Sequence, residues 1–138
     1  MIVNKKIPKD VLIIDDDKEI CEILAAYCLN MGCFKNIICA NDGLMATMKL
    51  RNQKFALILL DMNMPKKSGL DLLSEFDRIS LNQKEHILVI SGTLEKELIG
   101  KIISRGVNSF LVKPFDEPAF QEKVLKILCI PSSNAKTG

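Results

Sequence analysis

A chain of 138 residues, 48% hydrophobic and 26% charged, is long and apolar enough for one folded domain with its own core. Its formal net charge is +2 and no Lys/Arg run exceeds two residues, which is too mild to argue for a nucleic-acid surface. No apolar run approaches the roughly 20 residues of a membrane span, and Met1 to Lys9 is too polar and too short for a secretory signal.

The first nine residues read as a lead-in. Val11-Leu12-Ile13-Ile14 is a β-branched strand that ends in Asp15-Asp16-Asp17. Ile20, Ile23, Leu24, Tyr27 and Met31 then follow a helical spacing, with Gly32 as a stop. Ile37 to Ala40 is a short second strand. Asn41-Asp42-Gly43 is turn and cap chemistry, and Leu44, Met45, Met48 and Leu50 carry a helix to about Asn52. Leu57-Ile58-Leu59-Leu60-Asp61 is an aliphatic run that stops at one carboxylate, the pattern of a strand buried on both faces. Met62 to Ser68 is a loop, and Gly69 leads a helix with Leu70, Leu73, Phe76 and Ile79. His86 to Ile90 reads as a fourth strand ending at Ser91-Gly92-Thr93. Leu94, Leu98, Ile102 and Ile103 mark a fourth helix ending near Gly106, and Ser109 to Val112 a fifth strand ending at Lys113-Pro114. A last helix runs through Ala119, Phe120, Val124, Leu125, Leu128 and Cys129. Five βα units with short connections imply an α/β fold, a parallel sheet with helices on both faces. Residues 10–130 form the domain and 131–138 a short tail or the start of a linker.

The cysteines Cys21, Cys28, Cys33, Cys39 and Cys129 are odd in number, without a CxxC, and mostly lie in apolar segments. They read as small core residues of a reduced, cytoplasmic protein. His86 opens a strand and has no catalytic spacing. Lys66-Lys67 reads as a solvated loop.

The strand ends carry the chemistry. Strand C-termini of a parallel sheet share one edge, where open α/β sheets bind ligands. That edge collects Asp15 and Asp16 from strand one, Asp61 from strand three, Ser91 from strand four and Lys113 from strand five. Each has a plain reading alone: Asp15-Asp16-Asp17 can cap a helix, Asp17 above all, and Ser91-Gly92-Thr93 and Lys113-Pro114 can be turns. Together they are better explained as a site. Three close carboxylates repel one another without a cation, and hard oxygen ligands suit Mg2+. A carboxylate nucleophile, a metal ion, a lysine and a hydroxyl suit phosphoryl transfer to Asp61, where positioning and charge neutralisation do most of the catalysis.

Val11 to Asp17, Asp61-Met62-Asn63-Met64-Pro65 with Gly69, Val89 to Thr93 and Phe110 to Phe115 occur in order, and with them the chain resembles the receiver domain of two-component response regulators over about residues 10–130. The resemblance implies a CheY-like, flavodoxin-like three-layer sandwich, (βα)5, with sheet order 2-1-3-4-5. It implies Asp61 as phosphoacceptor, with Asp15, Asp16, Asp61 and the backbone carbonyl of Asn63 around Mg2+. Ser91 stands at the switch hydroxyl, where threonine is commoner, and Lys113 at the phosphoryl-contacting lysine. Phe110 stands at the switch aromatic, often tyrosine. Asn63 and Thr93 stand where loss of the phosphoryl group is tuned, and the bond before Pro114 is commonly cis. Expected partners are a histidine kinase or phosphotransfer protein, and an output domain or protein that reads the fourth helix and fifth strand, with room for a phosphorylation-dependent dimer. No membrane or direct nucleic-acid contact is implied. The domain is a signalling phosphoacceptor rather than an enzyme, though it promotes its own phosphorylation and dephosphorylation.

Two other classes share parts of this pattern. A haloacid-dehalogenase-like phosphatase also uses a strand-end Asp with Mg2+ but expects Asp-x-Asp, and position 63 is Asn. A flavodoxin-like FMN binder expects a Ser/Thr-rich phosphate loop, which is absent from the strand ends.

Overall fold

The structure, a computed structural model, describes residues 7–64, 67–93 and 95–129. Eleven elements follow one another: β1 (Val11–Ile14), α1 (Lys18–Met31), β2 (Ile37–Ala40), α2 (Gly43–Asn52), β3 (Leu57–Asp61), α3 (Gly69–Ile79), a 3-10 turn (Lys84–His86), β4 (Ile87–Ser91), α4 (Lys96–Ser104), β5 (Phe110–Val112) and α5 (Glu117–Leu128). The strands form one parallel sheet of order β2-β1-β3-β4-β5. Every residue of the central strands β1, β3 and β4 is buried, because helices cover both faces.

Alternation along the strands builds two apolar layers. Leu12, Ile14, Ile58, Leu60, Ile87 and Val89 pack against α2, α3 and α4 through Leu50, Leu72, Phe76 and Ile102. Val11, Ile13, Leu57, Leu59, Leu88 and Ile90 pack against α1 and α5 through Leu24, Cys28, Phe120 and Val124. Tyr27, Phe115 and Phe120 form an aromatic group on that second side, with centroids 5.6 to 6.5 Å apart. Truncating a fully buried residue such as Leu59 to alanine costs about 2–5 kcal/mol.

Short polar residues start the helices. Asp17, Asp42, Ser68 and Asp116 each accept a first-turn backbone N–H, and Ser68 with Asp71 completes a capping box at α3. Gly32 ends α1 with φ +69°, a conformation that favours glycine, and its N–H donates to the Leu29 carbonyl.

Several details depart from the sequence reading. The fourth strand starts at Ile87; His86 belongs to the 3-10 turn, its Nδ1 3.0 Å from the Ala56 carbonyl. The fourth helix starts at Lys96, and Leu94 lies outside the described residues. The fifth strand starts at Phe110, one residue later than expected, although Ser109 already accepts from the Val89 N–H. The apolar pattern of α2 faces outward: Leu44 is 72% and Met48 54% exposed, while Gly43, Ala46 and Leu50 face the sheet. Gly43 itself has no room for a side chain, since a Cβ there would lie 2.6 Å from the Lys67 Cβ. In α1 the inner row is Cys21, Leu24 and Cys28, and Ile23 is exposed. All five cysteines are free thiols.

Candidate functional site

Strand ends bring Asp15, Asp61 and Lys113 to one edge of the sheet. Asp61 is the last residue of β3, Asp15 follows β1, and Lys113 follows β5. The Lys113 Nζ lies 3.6 Å from Asp15 Oδ2 and 3.6 Å from Asp61 Oδ1, bridging the two carboxylates at ion-pair range. Asp15 and Asp61 are buried and Asp16 is exposed, yet each of the three offers a carboxylate oxygen within 4.8 Å of the others.

Asp15 is the member with an unsatisfied oxygen. Its Oδ1 accepts the Asp17 N–H at 2.9 Å, but its Oδ2 is buried without a hydrogen-bond partner. The ion pair to Lys113 is too long to fill that role. Burial is the main cause that raises the Asp15 carboxyl to about 6; the Asp17 N–H opposes it, the Asp61 charge adds to it, and Lys113 opposes it. A buried, unsatisfied carboxylate oxygen beside two further carboxylates fits a divalent cation with hard oxygen ligands, so Asp15, Asp16 and Asp61 could hold one.

Most of the other expected residues sit on β4 and β5 or in the segments that follow the strands. The Asn63 N–H donates to Asp61 Oδ1 at 3.1 Å and its side chain is exposed. The Ser91 hydroxyl is fully buried; it donates to the Thr93 carbonyl at 2.8 Å and accepts the Thr93 N–H at 3.3 Å. Phe110 is half-buried against the α2–α4 side of the core and pairs in register with Val89. The Lys113–Pro114 bond is cis. Asp17 caps α1 through the Glu19 and Ile20 N–H groups and is not among the clustered carboxylates. Pro65 and Lys66 lie outside the described residues. Lys67 is tied to Glu75 at 2.7 Å rather than free in solvent.

Two residues that sequence reasoning did not assign to the site, Asn41 and Cys21, shape it, as does Gly69 of the motif. Asn41 Nδ2 and Cys21 Sγ both donate to the Asp15 carbonyl, at 3.0 and 3.3 Å, and fix the backbone that carries this carboxylate. Burial, the largest cause, and the neighbouring Cys39 push the Cys21 thiol up to about 12, so it stays protonated and able to donate. The available signal for Asn41 was its place directly after the second strand, as Asp15 follows the first; the register then sets Ile14 opposite Ala40. Gly69 sits against the end of β3: a Cβ there would lie 2.7 Å from the Asp61 carbonyl oxygen and 2.6 Å from Met62 Sδ.

A 2-1-3-4-5 parallel sheet with buried carboxylates and a lysine at its C-terminal edge defines a doubly wound α/β protein with an acidic strand-end site. Comparison with known proteins narrows this class. The model of the response regulator receiver domain matches residues 11–125. The chemotaxis protein CheY-3 of Vibrio cholerae serotype O1 is 32% identical over 126 residues, which span 91% of this chain and 95% of that protein. The transcriptional regulatory protein KdpE of Staphylococcus aureus is 32% identical over 129 residues, covering 93% of this chain but only 53% of KdpE. Among solved structures, a CheX–CheY–BeF3–Mg2+ complex from Borrelia burgdorferi superposes with a TM-score of 0.77 at 29% identity, over 90% of this chain and 92% of that one. The chain belongs to the response regulator receiver domain family, whose members are signalling phosphoacceptors of two-component systems. Among the described residues, no helix is long and apolar enough to cross a membrane.

Proposed function

We propose that Asp61 accepts a phosphoryl group from a phosphohistidine of a kinase or phosphotransfer protein. The observation that carries this reading is the Lys113 bridge between two buried carboxylates, one of which keeps an oxygen without a hydrogen-bond partner. In the transfer the N–P bond of the donor breaks and an O–P bond to an Asp61 carboxylate oxygen forms. The imidazole leaves with the bonding pair and takes a proton from water. Asp61 needs no general base, because it attacks as the anion. Asp15, Asp16, Asp61 and the Asn63 carbonyl would hold Mg2+, which supplies charge neutralisation between nucleophile and phosphoryl oxygens. Lys113 adds a cation on the other side and retains a partner as the Asp61 charge is redistributed.

Ser91 links this event to the partner face. For its hydroxyl to donate to a phosphoryl oxygen, it must release the Thr93 carbonyl. A neutral hydrogen bond worth about 1 kcal/mol is exchanged for a charge-assisted one worth about 1.5–3 kcal/mol. The released loop leads into α4, and Phe110 is positioned beside β4 to fill space as Ser91 moves. The face of α4 and β5 thereby becomes the surface that an output domain, a protein partner or a second copy reads. Asn63 and Thr93 set access of water to the phosphoryl group and so its lifetime. Free thiols and the kinase partner suit a cytoplasmic setting.

The test is incubation with acetyl phosphate or a phosphorylated kinase in Mg2+, followed by intact mass. The wild type should gain about 80 Da and Asp61→Asn should not. An adduct that persists in Asp61→Asn refutes the assignment.

A further inference from the structure

The opposite edge of the sheet carries a second concavity with the reverse charge. A cavity of about 580 Å³ is lined by Ile7, Pro8, Lys9, Asp10, Lys35, Asn36, Gln53 and Lys54. These residues come from the segments that lead into β1, β2 and β3, so they meet where the strands begin and Asp61 lies at the far end.

Hydrogen bonds tie the lining segments together. The Lys35 N–H donates to the Lys9 carbonyl at 2.8 Å, the Val11 N–H to the Asn36 carbonyl at 2.9 Å, and the Ala56 N–H to the Asp10 carbonyl at 2.8 Å. The Asp10 carboxylate is used up by amides. Its Oδ1 accepts from the Asn36 N–H and Nδ2, at 3.2 and 3.1 Å, and its Oδ2 from Gln53 Nε2 at 2.9 Å. None of Lys9, Lys35 and Lys54 has a carboxylate partner among the described ion pairs. The backbone bond between Lys9 and Lys35 joins the segments that lead into β1 and β2, so two like charges enter the same edge of the sheet.

We infer that this edge binds a small phosphate-bearing ligand of the nucleotide class. Three lysines without a carboxylate partner among the described ion pairs line the cavity together with one amide-satisfied carboxylate, and that excess of positive charge suits a di- or triphosphate. Because Asp10 takes the amide N–H groups of Asn36 and Gln53, the side-chain carbonyl oxygens of those residues remain to accept from sugar hydroxyls or a ring amine. Ile7, which is 78% exposed, and Pro8 offer an apolar wall for a ring. The volume lies within the roughly 300–1,000 Å³ usual for small-ligand pockets. The inference does not depend on phosphorylation of Asp61.

The experiment is calorimetric titration of the full chain with ADP, pyrophosphate, adenosine and a single-stranded oligonucleotide, in EDTA so that no cation draws phosphate to the acidic edge. Amide shifts of labelled protein are read alongside. ADP should bind one to one, at least about fivefold tighter than pyrophosphate and adenosine. It should shift Lys9, Lys35, Asn36, Gln53 and Lys54 and leave Asp61 in place. Lys9→Gln/Lys35→Gln/Lys54→Gln should weaken ADP at least about tenfold, and Lys96→Gln on α4 less than about twofold, since an exposed lysine far from the pocket is screened by salt. Circular dichroism should show the triple variant folded. Equal affinity for pyrophosphate and ADP overturns the inference, as does affinity that grows with oligonucleotide length, or ADP binding that the triple variant retains.

Discussion

At the C-terminal edge of the sheet three carboxylates cluster beside one lysine, whereas at the N-terminal edge three lysines and one carboxylate line one cavity. The difference is in how the minority charge is treated. Asp10 sits among amide donors that occupy both of its oxygens, and the lysines of that cavity are exposed, so that edge costs the fold little. Asp15 is buried with an oxygen left over, and its carboxyl is raised to about 6. The strand ends with satisfied polar groups stabilise the domain; those with an unsatisfied one hold electrostatic free energy that a ligand can relieve.

The largest expected effect is on phosphoryl uptake. Asp61→Asn should lower the rate by at least about a hundredfold, measured by intact mass over time, because the amide is no nucleophile. Uptake should be unchanged by Asp10→Ala; equal losses would erase the contrast between the edges.

Next comes stability without metal. Asp15 titrates higher in the folded state than at the ordinary 3.8, so the folded chain binds the proton more tightly. No penalty exists below pH 3.8, it grows as pH rises through about 6, and it is complete above that. In EDTA at neutral pH, Asp15→Asn should therefore be more stable than wild type by on the order of 2–3 kcal/mol. Denaturant melts at pH 4 and 7.5 check this: the gap should close at the lower pH, and saturating Mg2+ should shrink or reverse it at the higher one. A gap that widens on acidification would contradict the burial argument.

Asp10→Ala should act in the opposite sense, costing about 1–2 kcal/mol at neutral pH through its lost hydrogen bonds. Chemical denaturation reads the loss, and Mg2+ affinity at the acidic edge should stay within about twofold. The smallest effect is expected from Glu75→Gln, which breaks the pair with Lys67; about 0.5 kcal/mol or less should appear in the same melts.

The two edges also differed in how far the sequence revealed them. Aliphatic runs at 11–14, 57–60 and 87–90 announce central strands because nothing polar interrupts them. Polar residues that end such runs are conspicuous, and Asp61, Asp15 and Lys113 could be grouped before any coordinate was known. The lysine edge was silent: Lys9, Lys35 and Lys54 lie in polar lead-ins, where lysine is unremarkable, and only the strand register gathers them. The apolar residues Leu44, Met45, Met48 and Leu50 located α2 but not its inner face, since of these four only Leu50 is buried. Gly43, Ala46 and Leu50 face inward, and at Gly43 the close approach of Lys67 leaves no room for a side chain. The Asp15 oxygen without a partner and the Ser91–Thr93 hydrogen bond are properties of three-dimensional packing, with no counterpart in residue type or spacing.

Gly69 works as a spacer of zero thickness between α3 and the peptide that carries Asp61. Any side chain there would press on the Asp61 carbonyl and on Met62, a backbone contact that cannot simply rotate away. Position 69 is therefore a mechanical adjustment for the site: a single methyl group could tilt Asp61 relative to Asp15 and Lys113 while every charge, donor and acceptor stays as it was.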